Sequence, residues 1–191
     1  MAAPTLHHVT MQTQRLQEMI NWYTLVVGMQ VNYAYDGGAW LSNDAANHRV
    51  AFLQSAAIVD DADKGRHARM HHVAFEFENG ESLLKNYERL RDLEVLPVAC
   101  VDHGTTVSFY YTDPDGNGVE MQFDAFRDWG LSSEWMRASS DYARDPLGTP
   151  IDPELMVRAW HQGSTIDDLH TRARAGDFRP AFEVPMGLPA G

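Results

Sequence analysis

The segments LHHVTMQT at Leu6–Thr13 and MHHVAFEF at Met70–Phe77 are similar to one another, and the fold prediction rests on this similarity. The two histidine pairs lie 64 residues apart in a sequence of 191 residues. In each stretch polar and apolar side chains alternate, as in a strand with one buried face. Each stretch precedes a segment in which apolar residues recur at helical spacing. The recurrence predicts two copies of one structural unit.

Each copy continues with three further strand candidates, so both have the predicted order βαβββ. The predicted fold class is therefore α+β, with two paired βαβββ modules. The first copy comprises strand 6–13, helix 15–29 and strands 30–35, 39–42 and 48–54, and the second comprises strand 70–77, helix 82–92 and strands 96–101, 106–112 and 118–123.

The repeat sets the predicted domain organisation. Residues 1–124 form a single domain, in which module one spans 6–54 and module two spans 70–124. Residues 125–191 form a C-terminal extension that is helical or irregular, with helices predicted at 153–163 and 164–175. We expect this extension to pack on the sheet or on a second subunit; the alternative is that it forms a lid over the site. It carries three tryptophans, which favours a homo-oligomer with part of residues 129–160 in the interface.

Composition excludes several classes of function. The formal net charge of -12 disfavours nucleic acid and anionic membrane surfaces as partners. Cys100 is the single cysteine, so no disulfide framework indicates an oxidising compartment. No stretch reaches the length and apolar character of a membrane span, and the first residues do not resemble a signal peptide. We expect a cytoplasmic protein.

Strand parity selects three candidate metal ligands. Alternate residues of a strand share a face, so His8 and His72 each lie on the polar face of their strand, away from His7 and His71. Glu120 likewise lies opposite the apolar residues of its strand. Two imidazoles and one carboxylate form the facial triad that suits Fe(II), with positions left for other ligands. Mn(II) suits the same ligands.

The repeat also predicts where a ligand is missing. Aligning the last strand of each copy matches Val50 with Val119 and Ala51 with Glu120. An alanine cannot coordinate a metal. We therefore expect one metal per chain, in an open site.

With these features the chain resembles the vicinal oxygen chelate superfamily, which includes glyoxalase, fosfomycin-resistance proteins, bleomycin-binding proteins and type I extradiol dioxygenases. The resemblance covers roughly Leu6–Asp124. It implies that the two modules form a metal-binding cup. Because the larger extradiol enzymes have four modules, this chain is similar to the single-domain type.

One run of residues is specific to the extradiol enzymes within that superfamily. It begins at Val101-Asp102-His103, continues after five residues with Phe109-Tyr110, and after two more reaches Asp113-Pro114-Asp115-Gly116 and then Glu120. The resemblance implies that His103 and Tyr110 hydrogen-bond the substrate oxygens.

A second match is the segment Asn47–Phe52, in which the resemblance implies that His48 is a catalytic acid and base. Strict alternation from Ala51 would put His48 on the face opposite the metal. The role therefore requires His48 to stand at the start of the strand or beside a bulge. The remaining histidines, His67, His161 and His170, match nothing and are interpreted as surface residues.

The resemblance implies a reaction: ring cleavage of a catechol-type diol by dioxygen next to the diol at Fe(II), giving a semialdehyde or keto acid, as in the catabolism of aromatic compounds. Two alternatives stay open on the same scaffold. One is a metal-dependent isomerase or thiol transferase, although Ala51 disfavours a four-ligand glyoxalase site. The other is a non-enzymatic binder of small molecules, which bound iron would exclude.

Overall fold

In a computed structural model, which describes residues 2–182, the chain divides into two compact units. The first unit runs through residue 69 and includes residues 113–117. The second unit comprises residues 70–112 and continues from residue 118 through the C-terminal extension. The predicted boundary of one domain at residue 124 stays a prediction.

The first unit has the predicted order βαβββ. Its four strands form one sheet in the order β1-β4-β3-β2, in which β1 and β4 are parallel and the other pairs are antiparallel. Its elements are β1 (Val9–Thr13), α1 (Leu16–Val26), β2 (Gln30–Tyr35), β3 (Gly38–Ser42), β4 (Val50–Gln54) and a short 3₁₀ helix at Lys64–Arg66.

Apolar periodicity determines which face of this sheet is buried. In α1 the buried residues Leu16, Met19, Tyr23 and Val26 recur at helical spacing and form one stripe. The Tyr23 ring lies edge-on to Phe52 of β4, with ring centroids 5.2 Å apart. Because α1 covers this face, the residues on the other face of the sheet remain available for a site.

The second unit repeats the order and adds to it. Its sheet has the order β5-β8-β7-β6-β9, again with a parallel pair of the first and last strands of the repeat. Its elements are β5 (His72–Glu76), α2 (Gly80–Asp92), β6 (Ala99–Asp102), β7 (Thr106–Thr112), β8 (Gly118–Asp124), α3 (Trp129–Ala138), α4 (Ser140–Arg144), β9 (Thr149–Pro150), α5 (Pro153–His161) and α6 (Ile166–Ala175).

The two parallel pairs have the same register. In the first unit Thr10 lies opposite Ala51, and in the second Ala74 lies opposite Glu120. These four positions are the ones that the sequence repeat matches. The α+β fold class is confirmed, and the strand register supports the alignment of Ala51 with Glu120.

The turn between β7 and β8 belongs to the first unit. Asp113, which is 4% exposed, accepts hydrogen bonds from the backbone amides of Asp115 and Asn117 through Oδ1. Its Oδ2 accepts from the hydroxyl of Tyr23 at 3.2 Å. Arg15 forms an ion pair with Asp115 at 2.8 Å. These bonds order the turn that precedes the strand of Glu120.

The C-terminal extension packs on the second unit. Strand β9 pairs with β6, and the Tyr87 hydroxyl of α2 donates to Glu154 of α5 at 2.6 Å. The two predicted helices correspond to α5 and α6. Helices α3 and α4 and strand β9 were not predicted. The buried residue of α3 is Ser132, so no buried apolar stripe marks that helix, and α4 and β9 are only five and two residues long. None of the helices in residues 2–182 has the length and apolar character needed to cross a membrane.

Candidate metal centre

Glu120 and His72 lie on neighbouring parallel strands of the second unit. Glu120 is only 5% exposed, and its register neighbours are Ala74 in β5 and Tyr110 in β7. His72 is the first residue of β5 and lies two residues before Ala74, so their side chains share a face of the strand. Strand pairing therefore places both side chains on the same face, as their parity predicts.

The ligand atoms of these two residues converge. His72 Nε2 lies 2.9 Å from Glu120 Oε2. In proteins, an imidazole nitrogen or carboxylate oxygen binds a divalent ion such as Zn²⁺ at about 2.1 Å, so two such ligands at right angles lie about 3 Å apart. The pair therefore fits two of three positions of a facial triad for a divalent ion.

Tyr110 and His103 extend this pair into a connected chain of side chains. The Tyr110 hydroxyl lies 3.0 Å from Glu120 Oε1 and 2.7 Å from His103 Nε2. A hydroxyl has one proton, so donation to Glu120 leaves His103 as the donor, whereas donation to His103 frees a carboxylate oxygen. Tyr110 can thus pass a proton between Glu120 and His103.

Burial and hydrogen bonding set the charge of each group. Burial raises the pKa of Glu120, but hydrogen bonds from His72, Ser108 and Tyr110 outweigh it and hold the pKa below its ordinary value. The carboxylate is therefore ionised, as a metal ligand must be.

The pKa values of the other two groups shift in opposite directions. Burial, with the nearby charge of Glu120, raises the pKa of Tyr110 well above its ordinary value. Burial lowers the pKa of His103, although the charge of Glu120 and a bond to the backbone of Leu147 oppose the shift. At neutral pH Tyr110 is a neutral hydroxyl and His103 a neutral imidazole.

The other two predicted histidines lie together in the first unit. His8 precedes β1, and His48 stands two residues before β4, so it has the position at the start of the strand that its predicted role requires. Their ring centroids are 4.3 Å apart. His7 adjoins them, and the possible ligand atoms of the three lie within 4.8 Å of one another. Partial burial and the two neighbouring rings lower the pKa of His48.

The strand bounds differ from the prediction at both histidine pairs. Strand β1 begins at Val9 and β5 at His72, so strict alternation does not extend back to His7, His8 or His71, and the parity that selected His8 lies outside the strand. The side chains of His7 and His71 are exposed, and each ring lies beside that of the next histidine, with Nδ1 atoms 3.1 Å apart in the first pair and 2.8 Å apart in the second.

The six predicted site residues therefore form two groups. His72, Glu120, Tyr110 and His103 are connected in the second unit, and His8 and His48 are neighbours in the first. That His8 completes a metal site with His72 and Glu120 stays a prediction.

Among the remaining histidines, one prediction is wrong. His67 and His161 are surface residues, with side chains 62% and 60% exposed. His170 instead lies 2.7 Å from Asp102, whose side chain is fully buried. Sequence reasoning missed this pair because its members lie far apart in the chain. The available signal was an aspartate at the end of an apolar strand, a position that requires a partner.

Comparisons with known proteins identify the family of the chain. The Glyoxalase/Bleomycin resistance protein/Dioxygenase superfamily matches residues 5–121. Biphenyl-2,3-diol 1,2-dioxygenase 2 of Rhodococcus globerulus is 35% identical over 185 residues, which cover 97% of this chain and 96% of the relative. Biphenyl-2,3-diol 1,2-dioxygenase 3 of the same organism is 34% identical and covers 90% of each chain.

Solved structures support the fold alone. A glyoxalase/dioxygenase from Nostoc punctiforme has a TM-score of 0.53 at 15% identity and covers 65% of this chain and 96% of its own. This likeness is limited to part of the chain, whereas that to the Rhodococcus sequences continues through the C-terminal extension. By sequence match, fold and strand register, the chain belongs to the glyoxalase/bleomycin resistance protein/dioxygenase superfamily, the vicinal oxygen chelate proteins.

Proposed function

We propose that this protein is an extradiol dioxygenase, which cleaves the ring of a catechol-type diol with dioxygen and gives a semialdehyde or keto acid. The observation that carries the proposal is the near full-length likeness to two biphenyl-2,3-diol 1,2-dioxygenases. The connected side chains of the second unit supply groups of the kind that this chemistry needs. They are those of His72, Glu120, Tyr110 and His103.

We assign the metal to Fe(II), with Mn(II) as the other ion that suits the ligands. His8, His72 and Glu120 would hold it. Bound there, iron would supply coordination positions for both diol oxygens and for dioxygen, together with the redox chemistry between them. The convergence of His72 and Glu120 within 2.9 Å supports the assignment of these two ligands.

Tyr110 and His103 would act on the oxygens of the substrate. Tyr110 keeps its proton at neutral pH because its pKa is raised, so it can donate a hydrogen bond to an oxygen that becomes negative. His103 is neutral and contacts the Tyr110 hydroxyl, so it can take up or return a proton through it.

His48 would be a second acid and base. Its pKa is lowered, so at neutral pH it is a free base that can take a diol proton. The ring lies 4.3 Å, centroid to centroid, from that of His8, which is consistent with a position beside a metal ligand.

The test is anaerobic reconstitution with Fe(II), followed by addition of catechol, alkylcatechols and aryl catechols. Oxygen uptake together with a yellow ring-opened product is expected in the reconstituted protein and not in a His72→Ala variant treated in the same way. Full metal loading with no oxygen uptake on any diol would contradict the proposal. Isomerisation of a thiol adduct without oxygen uptake would instead identify a glyoxalase-like enzyme.

We further propose a cytoplasmic homo-oligomer. Helix α3 exposes Trp129 at 70% and Leu131 at 55%, which is unusual for large apolar side chains unless a partner covers them. Trp135 and Trp160, by contrast, are partly buried in the chain itself. Light scattering at micromolar concentration should give at least twice the mass of 21.5 kDa. A strictly monomeric mass would contradict the assembly.

A further inference from the structure

We propose that the C-terminal extension positions His103, through a hydrogen bond from His170 of α6 to the buried carboxylate of Asp102. The proposal rests on the proposed function, since His103 is there given a role toward substrate. It assigns to His170 the task of a positioning residue, which does not touch the reacting atoms itself.

Asp102 is the residue directly before His103 and the last of β6. Its side chain is fully buried, and both carboxylate oxygens have a partner. Oδ1 accepts from the backbone amide of Gly104 at 2.8 Å, and Oδ2 lies 2.7 Å from Nδ1 of His170. A buried carboxylate without such partners is costly, so this pair fixes the carboxylate in one position.

The carboxylate in turn fixes the backbone on both sides of His103. Residues 102 and 104 are joined through Oδ1 of Asp102, and the amide of His103 donates to the carbonyl of Thr106 at 2.8 Å. Gly104 has a φ of 84°, a conformation that other residues rarely adopt. The backbone that carries His103 therefore has little freedom to move.

Other parts of the extension enclose the same turn. Arg174, one helical turn after His170, donates to the carbonyl oxygen of Asp102 at 3.3 Å. A Cβ added to Gly148 would lie 2.2 Å from that carbonyl oxygen, and one added to Gly104 would lie 2.6 Å from the Trp135 ring. Helices α3 and α6 and the segment before β9 all contact the turn, so its geometry depends on the extension.

His103 needs this geometry because its contact with Tyr110 is directional. His103 Nε2 lies 2.7 Å from the Tyr110 hydroxyl, which lies 3.0 Å from the Glu120 carboxylate. Hydrogen bonds weaken steeply with distance and angle. A displacement of about 1 Å can cost roughly 100-fold in rate when it affects a positioned catalytic group.

The first test compares two substitutions of His170. His170→Ala removes the donor to Asp102, and we expect a fall of about 10- to 100-fold in kcat per bound metal with little change in KM. His170→Asn keeps an amide nitrogen near the place of Nδ1, so it should restore most of the rate. If His170→Ala does not fold, His170→Gln replaces it, since its longer side chain carries the amide beyond the place of Nδ1.

A matched control and a double variant separate positioning from stability. His161 of α5 also pairs with a carboxylate, Glu88 at 2.9 Å, but on the surface. His161→Ala should therefore leave kcat unchanged. In a His103→Ala background, His170→Ala should have no further effect on kcat if it acts through His103. The proposal would be overturned if His170→Ala lowered kcat equally in the wild-type and His103→Ala backgrounds. Loss of metal in parallel with activity would overturn it as well.

A measurement without turnover distinguishes failure of this proposal from failure of the proposed function. In the metal-free protein, His170→Ala should speed hydrogen exchange of the Gly104 amide and shift the imidazole NMR signals of His103, while His161→Ala should do neither. If the wild type shows no dioxygenase activity, these signals still report on the proposed link. Unchanged exchange at Gly104 and unchanged His103 signals would overturn it.

Discussion

In both units the first strand of the repeat pairs in parallel with the last, and the register is the same, yet the residues at the matched place differ. Ala51 lies opposite Thr10 in the first unit, whereas Glu120 lies opposite Ala74 in the second. Both positions are buried, at 2% and 5% exposure. The same backbone frame thus occurs twice, but only one of its two equivalent positions carries a carboxylate.

The two units also differ in the groups that surround their predicted metal ligands. Glu120 has three polar neighbours that stabilise its charge, His72, Ser108 and Tyr110. Around His8 the neighbouring groups are the imidazoles of His7 and His48, and His8 itself is exposed. The second unit therefore holds a buried, preorganised anion, and the first presents a group of imidazoles. Substitutions in each unit test this contrast.

The largest effect is expected when the second unit is made like the first. Glu120→Ala should lose more than about 100-fold in metal affinity, since even the loss of a residue that supports a ligand costs 10- to 100-fold. Activity should fall to background. Metal content after gel filtration, measured by elemental analysis, checks this result.

Glu76→Gln is the matched control, because Glu76 is an exposed carboxylate on β5 that bonds to Trp129 instead. It should keep its metal. Stoichiometric metal in Glu120→Ala would show that the carboxylate is not a ligand.

Tyr110→Phe should separate metal binding from chemistry in the second unit. The substitution leaves His72 and Glu120 in place but removes the hydroxyl between Glu120 and His103. We expect metal content to stay near that of the wild type and kcat to fall by about 10²- to 10⁴-fold. Steady-state kinetics per bound iron, at saturating catechol and oxygen, are the measurement. A drop in metal content equal to the drop in rate would point to a packing defect.

His48→Gln applies the same test to the histidines of the first unit. We expect a loss of about 100-fold in kcat, at the lower end of the range for a positioned acid or base, since water reaches His48 and can replace it in part. Metal content should again be unchanged. Wild-type turnover in the iron-loaded variant would show that His48 is a loop residue and would transfer its role to His103.

The smallest effect concerns stability and pH. Because the pKa of His103 in the folded protein lies below its ordinary value, the unfolded state binds the proton first as the pH falls. The contribution of His103 to stability is therefore fully present above the ordinary histidine pKa of about 6.5 and is lost as the pH falls below it. His103→Gln should flatten the fall in free energy of unfolding between about pH 7 and 5. Denaturant titrations at each pH test this, and identical slopes in both proteins would refute it.

Much of the frame could be predicted from the sequence, because it follows from local periodicity. Alternation in the strands identified the face that carries His72 and Glu120, and the repeat predicted the register of Ala51 with Glu120. The exact ends of the strands at His7 and His71 were not predictable, since a strand ends where its hydrogen-bonding partner ends, and that depends on another part of the chain.

The contacts that support the site depend on residues distant in sequence. The pairing of Asp102 with His170 spans 68 positions, and nothing local at His170 distinguishes it from the exposed His161. Likewise, the turn Asp113–Asn117 lies between two strands of the second unit, and its sequence does not reveal that its side chains find their partners in Arg15 and Tyr23.

That turn has a consequence for any attempt to cut the chain into its repeats. A gene fragment that ends at residue 69 would encode all five elements of the first βαβββ unit but would lack residues 113–117. Tyr23, fully buried, would lose the Asp113 carboxylate that accepts from its hydroxyl, and Arg15 would lose the Asp115 carboxylate. Such a fragment would therefore leave two of its side chains without the partners that the turn supplies, and the first repeat is complete only with residues that the chain encodes inside the second.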